Sequence, residues 1–122
     1  MRFTLESSSA VHIIRAHGNG ELRVNETVYR GAVILSASTA IAVPNIQNFD
    51  DLIGIDVSRI LALDPELVLL GTGAQQIFPV ASFGAHFLRA GIGFEVMDTG
   101  AACRTFNVLV GEHRRVAALL LA

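Results

Sequence analysis

Residues 66 to 70 read Glu-Leu-Val-Leu-Leu and run directly into Gly71-Thr72-Gly73. A short, almost unbroken apolar run of this kind suits a strand covered on both faces, as the strands of a parallel sheet are. A second run, Ile92 to Met97, follows about twenty residues later and leads into Asp98-Thr99-Gly100. Between them Pro79 suits a first helical position, Val80, Phe83, Gly84 and Phe87 form one apolar stripe, Ser82, His86 and Arg89 share the opposite face, and Gly91 supplies a stop. The unit from Glu66 to Met97 is therefore expected to be strand, helix, parallel strand, with a right-handed crossover.

The periodicity changes near residue 48. Before it lie short β-prone segments, Val11 to Ala16, Glu21 to Val24, Thr27 to Arg30, Ala32 to Leu35 and Ala40 to Val43. They are separated by turn residues at Gly18-Asn19-Gly20, Asn25-Glu26 and Ser36 to Thr39, and Pro44 closes the series. The two strands flanking Asn25-Glu26 read as a hairpin. After residue 48, Asn48 caps a first turn with Asp51, and Phe49, Leu52 and Ile53 share a side. Asp56 caps a second helical piece with Val57, Ile60 and Leu61 on its buried stripe, ended by Asp64-Pro65. Thr99 opens the last helix, which buries Ala102, Phe106, Leu109 and Val110 and ends at Gly111. Arg115 to Leu120 forms the final strand.

With 122 residues the chain is expected to form one domain, 1–122. Hydrophobic residues make up 52% and charged residues 16%, below the roughly 25% of an average soluble protein. Either the surface is poor in charge and easily buried against a partner or another copy, or a dense core lies under an ordinary surface. Nine basic against eleven acidic residues leave a net charge of -2, without a basic run beyond Arg114-Arg115, so no nucleic-acid partner is expected. The single cysteine, Cys103, forms no intramolecular disulfide, which fits a reducing cytoplasm. Met1 to Glu6 has neither the apolar stretch of a signal peptide nor an Arg-rich presequence pattern. The most apolar stretches, Ala32 to Val43 and Val116 to Ala122, are shorter than the ~20 residues that span a bilayer, and no transmembrane segment is expected.

In open α/β sheets ligands bind where the carboxyl ends of parallel strands turn into helices. If the two strands are neighbours, Gly71, Thr72 and Gly73 face one crevice with Asp98 and Thr99, and Cys103, Arg104 and Thr105 stand behind on the last helix. Glycines admit a ligand to the backbone and helix starts favour anions, so a small anion is the chemical class such a crevice suggests. The ordinary reading is the stronger: strand-to-helix turns need Gly, and helix starts need Asp or Thr, whether or not anything binds. Ala74, Gln75 and Gln76 follow Gly73, so both the dinucleotide fingerprint and the phosphate loop fail.

Cys103 lies early in a helix, where a dipole lowers a thiol pKa, but its spacing to Phe106 and Val110 favours a small core residue. His12, His17, His86 and His113 show no ligand spacing with Cys103 or the carboxylates, so neither a metal nor a cofactor is expected. Asp50-Asp51 resembles a paired-carboxylate site, yet acids in a first helical turn answer the dipole. No catalytic residue is assigned.

Taken together, the stretches Asp64 to Gly73, Gly91 to Thr99, Ala101 to Asn107 and Arg115 to Leu119 resemble a small family of uncharacterised domains. That family includes the mitochondrial NADH dehydrogenase (complex I) assembly factor 3 and the adipogenesis-associated protein of animals. The resemblance implies a three-layer α/β fold with a mixed central sheet, a β-hairpin layer and helices packed on the sheet. It also implies no established catalytic activity, and a role exerted through protein contacts during assembly of a respiratory membrane complex. The chain departs from the pattern at Asn45 to Phe49, where relatives often carry a Trp.

Three functions remain in view. One is a non-enzymatic assembly protein that covers a subunit of complex I or another membrane complex. Another is a small anionic-ligand domain or enzyme using Thr72, Asp98 and Arg104. A purely structural homo-oligomer is the third.

Overall fold

In the computed structural model, which describes residues 11–122, the first elements form a three-stranded antiparallel meander: β1 (Ile14–Gly18), β2 (Glu21–Val24) and β3 (Thr27–Arg30). Asn19 and Gly20 both hold positive φ, 54° and 75°, the backbone demanded by the tightest two-residue hairpins. Pairing consequently begins at Gly18 opposite Glu21, and a register shift lies between Ile14 and Ala16. This corrects the expected strand Val11 to Ala16, because the Asn-Gly turn draws the strand up to itself. The hairpin around Asn25-Glu26 forms as expected, with Val24 opposite Thr27. Met1 to Glu6, on which the expected lack of a leader rests, lies outside the described residues.

Strands β4 (Ala32–Ser36), β5 (Ala40–Val43), β6 (Leu67–Gly71), β7 (Gly93–Met97) and β8 (Val116–Leu121) form one mixed sheet in the order β5-β4-β8-β6-β7. Antiparallel pairing joins β5, β4 and β8, whereas β8, β6 and β7 run parallel. The last strand therefore enters the middle, where all six of its residues are buried.

Side chains alternate between the two faces of this sheet, and each face has its own cover. Val33, Leu35, Leu69, Ala118 and Leu120 pack against the meander's Ile14, Leu22 and Val24 and against α3 (Thr99–Gly111), through Ala102, Cys103, Phe106 and Val110. Ile34, Val68, Leu70, Ala117 and Leu119 pack against a 3-10 helix (Phe49–Gly54), α1 (Ser58–Leu61) and α2 (Ala81–Arg89). The result is a three-layer α/β fold with a mixed central sheet and a hairpin layer. Truncating a fully buried residue such as Leu69 to Ala costs about 2–5 kcal/mol.

The helix starts follow local chemistry. Asn48 and Asp51 form a reciprocal capping box. The Asp56 carboxylate accepts the Ser58 amide at 3.0 Å and its hydroxyl at 2.6 Å. The Asp98 carboxylate accepts the Ala101 amide at 2.9 Å. Phe83, Gly84 and Phe87 face the core as expected, but α2 begins at Ala81, and Val80 is exposed rather than part of the stripe. A helix starting two residues late leaves Pro79 and Val80 in the approach to it. Gly84 lets Phe94 of β7 close onto α2, since a Cβ there would meet that ring at 2.8 Å. Phe94 stacks on Phe87 with centroids 5.4 Å apart.

Candidate functional site

Strands β6 and β7 end side by side, with Gly71 directly paired to Met97, so the loops after them leave one edge of the sheet together. The Thr72 amide donates to the Met97 carbonyl at 2.9 Å, and the Thr99 amide to the Gly73 carbonyl at 2.8 Å. Glycine at 71 serves this packing: a Cβ would come within 3.0–3.2 Å of Leu120, Thr99 and Ala102.

Both buried threonines spend their hydroxyls on the fold. Thr99 Oγ1 accepts from the Gly73 amide at 2.8 Å and donates to the Leu121 carbonyl at 2.5 Å. Thr72 Oγ1 donates to the Gln75 carbonyl at 2.5 Å and accepts from the Ile77 amide at 3.1 Å. Thr105 donates to the Ala101 carbonyl at 2.9 Å within its own helix. The Asp98 carboxylate occupies the positive end of α3, where an incoming anion would otherwise sit.

Cys103 is buried among the apolar side chains of the meander-side core. Burial pushes its thiol up to about 11, the Arg104 guanidinium pulls the other way, and the Asp98 carboxylate adds to the rise. A thiol so placed is protonated at neutral pH and a poor nucleophile.

Of the residues expected at the crevice, Gly73, Asp98, Thr99 and Arg104 do line one cleft of about 520 Å³. Thr72 lies in the neighbouring cleft of about 590 Å³ with Gln47, Asn48 and Ile77. Gly71, Cys103 and Thr105 line neither cleft. The remaining wall was missed in the sequence. It comes from the first hairpin, whose His17 and Asn19 stand over the start of α3. Gly100 accommodates this, since a Cβ there would lie 3.1 Å from Cε1 and 3.2 Å from Nε2 of the His17 ring. Asn19-Gly20 carried a signal for the hairpin, but no local pattern says where a hairpin docks. The docking is fixed by Asn107 of α3, whose side chain accepts the Ile14 amide at 2.9 Å and donates to the Ile14 carbonyl at 3.0 Å.

Chemically the cleft offers one imidazole, one guanidinium and a carboxylate already engaged as a cap. Among the described residues no three of His, Cys, Asp and Glu stand together to hold a metal. Among the same residues no helix is long and apolar enough to cross a membrane.

Comparison with known proteins places this geometry. A Francisella tularensis subsp. holarctica protein named 13 kDa major membrane protein is 30% identical over 119 residues, covering 95% of each chain. The NADH dehydrogenase (ubiquinone) 1 alpha subcomplex assembly factor 3 of Danio rerio is 32% identical over 119 residues, covering 95% of this chain and 67% of that one. A Xanthomonas campestris protein solved by NMR superposes with a TM-score of 0.81 at 34% identity, covering 99% of this chain and 92% of that one. The resemblance carried by Asp64 to Gly73 and Gly91 to Thr99 thus extends over nearly the whole chain. Its residues 14–121 match the family described as protein of unknown function (DUF498/DUF598), and the chain belongs to that family.

Proposed function

We propose that this chain is a non-catalytic binding protein that assists the assembly of a membrane complex, respiratory complex I foremost, through contact with one of its subunits. One observation carries the reading. Phe78, Val80 and Leu88 are 69%, 68% and 63% exposed and line a single groove beside α2. Large apolar side chains gathered on one exposed surface mark a place where another surface is covered. The crevice supports the same reading from the other side, because both threonine hydroxyls and the Asp98 carboxylate are committed to internal bonds and the thiol is held protonated. A relative bearing the name assembly factor gives the role its content.

Affinity capture of the full chain from its native cells, with the retained proteins identified, tests the reading. Retention of a membrane-complex subunit by the wild-type chain is expected. Absence of any retained subunit, together with a clear rise in melting temperature on adding a metabolite, overturns it, because a ligand at 100 times its Kd adds about 2.7 kcal/mol.

A second reading has its own observation: His17 and Arg104 face the same 520 Å³ cleft, so a small anion has two cationic or polar walls. It predicts saturable binding that disappears in Arg104→Ala while the fold survives. The capped helix start makes this the weaker of the two.

A further inference from the structure

We infer that the outer edge of β7 binds an extended segment of a partner protein as an added strand, and that this segment carries an apolar-basic-apolar triplet. The inference rests on the protein-binding reading above and specifies its surface and the chemistry of its partner.

β7 is the edge strand of the five-stranded sheet. The Gly93 amide donates inward to the Glu66 carbonyl at 3.0 Å, and the Met97 carbonyl accepts from the Thr72 amide at 2.9 Å. In a parallel ladder alternate residues face the neighbour, so Gly93, Glu95 and Met97 spend their backbone groups on β6. Phe94 and Val96 therefore direct theirs outward. One of those outward groups is already engaged, since the Gln76 side-chain amide donates to the Val96 carbonyl at 2.9 Å and an incoming strand must displace it. The Phe94 amide and carbonyl and the Val96 amide have no backbone partner among the described residues, and an open edge of this kind is a template for strand addition.

The side chains beside the edge define what the strand must carry. Phe94 and Val96 lie on the α2 side, where a groove of about 460 Å³ is lined by Phe78, Val80 and Leu88 and floored by Gly84. Glu95 alternates to the opposite face of the strand while bordering the groove, is exposed, and enters none of the ion pairs among the described residues. Residues directly opposite each other on adjacent strands point to the same face. A residue facing Glu95 is thus favoured when basic, and its two neighbours enter the apolar groove. The pattern reads the same in either strand direction.

The same charge disfavours a second copy of this chain as the occupant. The antiparallel two-fold register that pairs Phe94 of one copy with Val96 of the other is centred on Glu95 and sets two carboxylates opposite each other.

The test uses the full chain and a fluorescein-labelled ten-residue peptide with Val-Lys-Val at its centre, against the same peptide with Val-Glu-Val, read by anisotropy. On the wild type the lysine peptide should bind about three- to tenfold more tightly, and in Glu95→Lys the preference should invert. A chain carrying Val80→Ser and Leu88→Gln, both exposed positions, should lose about tenfold in affinity for either peptide. Amide exchange at Phe94 and Val96 should slow when the lysine peptide is added. A preference that does not invert, affinity indifferent to the double variant, or absence of peptide binding overturns the inference. So does sedimentation showing a dimer that the double variant dissociates, since a second copy would then own the edge. These failures are distinguishable from failure of the broader reading, which stands or falls on whether the wild-type chain retains a membrane-complex subunit from its cells.

Discussion

The hydroxyl of Thr99 donates to the carbonyl of Leu121 at 2.5 Å, tying the first residue of α3 to the last residue of β8. The same oxygen accepts the Gly73 amide at 2.8 Å from the loop after β6. One short side chain therefore joins the ends of two strands and the start of a helix at the edge where the clefts open.

Replacing Thr99 by the nearly isosteric Val removes both bonds and leaves the Gly73 amide and Leu121 carbonyl to find other partners. Each buried group left unpaired costs about 1–3 kcal/mol, so a loss of about 2–4 kcal/mol is expected in urea unfolding, with Thr99→Ser retaining most of the stability. A Val variant as stable as the wild type would show that the contact holds nothing together.

Two helical glycines should respond to Ala with opposite signs. At Gly84 the new methyl would meet the Phe94 ring at 2.8 Å and force it from its stack on Phe87, an overpacking that costs about 1–3 kcal/mol. At Gly111 no atom lies within 4 Å, and the better helix propensity of Ala should add about 0.5 kcal/mol. Thermal unfolding of the two variants checks both signs. Stabilisation by Gly84→Ala would mean that the helix and β7 are not in tight contact.

The adjacent parallel ends of β6 and β7 were legible because each link is local: an apolar run, a turn, a helix with one apolar face, and a second run. The capping box of Asn48 and Asp51 was legible for the same reason, whereas Asp56, expected as the cap of α1, lies one residue before its N-cap Val57 and holds the Ser58 amide from there. Other features depend on partners remote in sequence. Arg115 to Leu120 reads as a strand, but nothing in it says that β8 lies between β4 and β6, a pairing that brings Ala32 opposite Leu121. The placement of His17 over Gly100 depends on Asn107 gripping the backbone of Ile14, 93 positions away. The hairpin's share of the cleft wall was invisible for that reason. Glycine 71 shows the converse difficulty, since a residue read as room for a ligand proves to be room for Thr99, Leu120 and Ala102.

Stability should fall on the alkaline side through Cys103. The folded thiol holds its proton up to about 11, against an ordinary value of 9.0. Between those values the native state binds more protons than the unfolded chain, so stability declines as pH rises from about 9 and levels off beyond about 11. The decline is at most about 2–3 kcal/mol. The sequence contains no Lys, the residue type that ordinarily titrates near this window. Urea midpoints across it should slope downward for the wild type and run nearly flat for Cys103→Ala. Equal slopes would assign the titration to another group.

Contact between the hairpin and α3 can be measured as a coupling between His17 and Gly100. Ala is the better helix former, but in the wild type its Cβ at position 100 would press on the His17 ring at 3.1 Å and on the Asp98 carboxylate at 3.3 Å. The imidazole is exposed and can give way, so Gly100→Ala alone should change stability little. With His17→Ala in place the ring is gone and the same substitution should become more favourable, giving a coupling of about 0.5–1 kcal/mol in a double-mutant cycle. Additive effects would mean that the ring does not rest on the helix start in solution. The cleft would then lose the wall that the hairpin gives it, and a small anion would have only Arg104 and a capped helix end to bind.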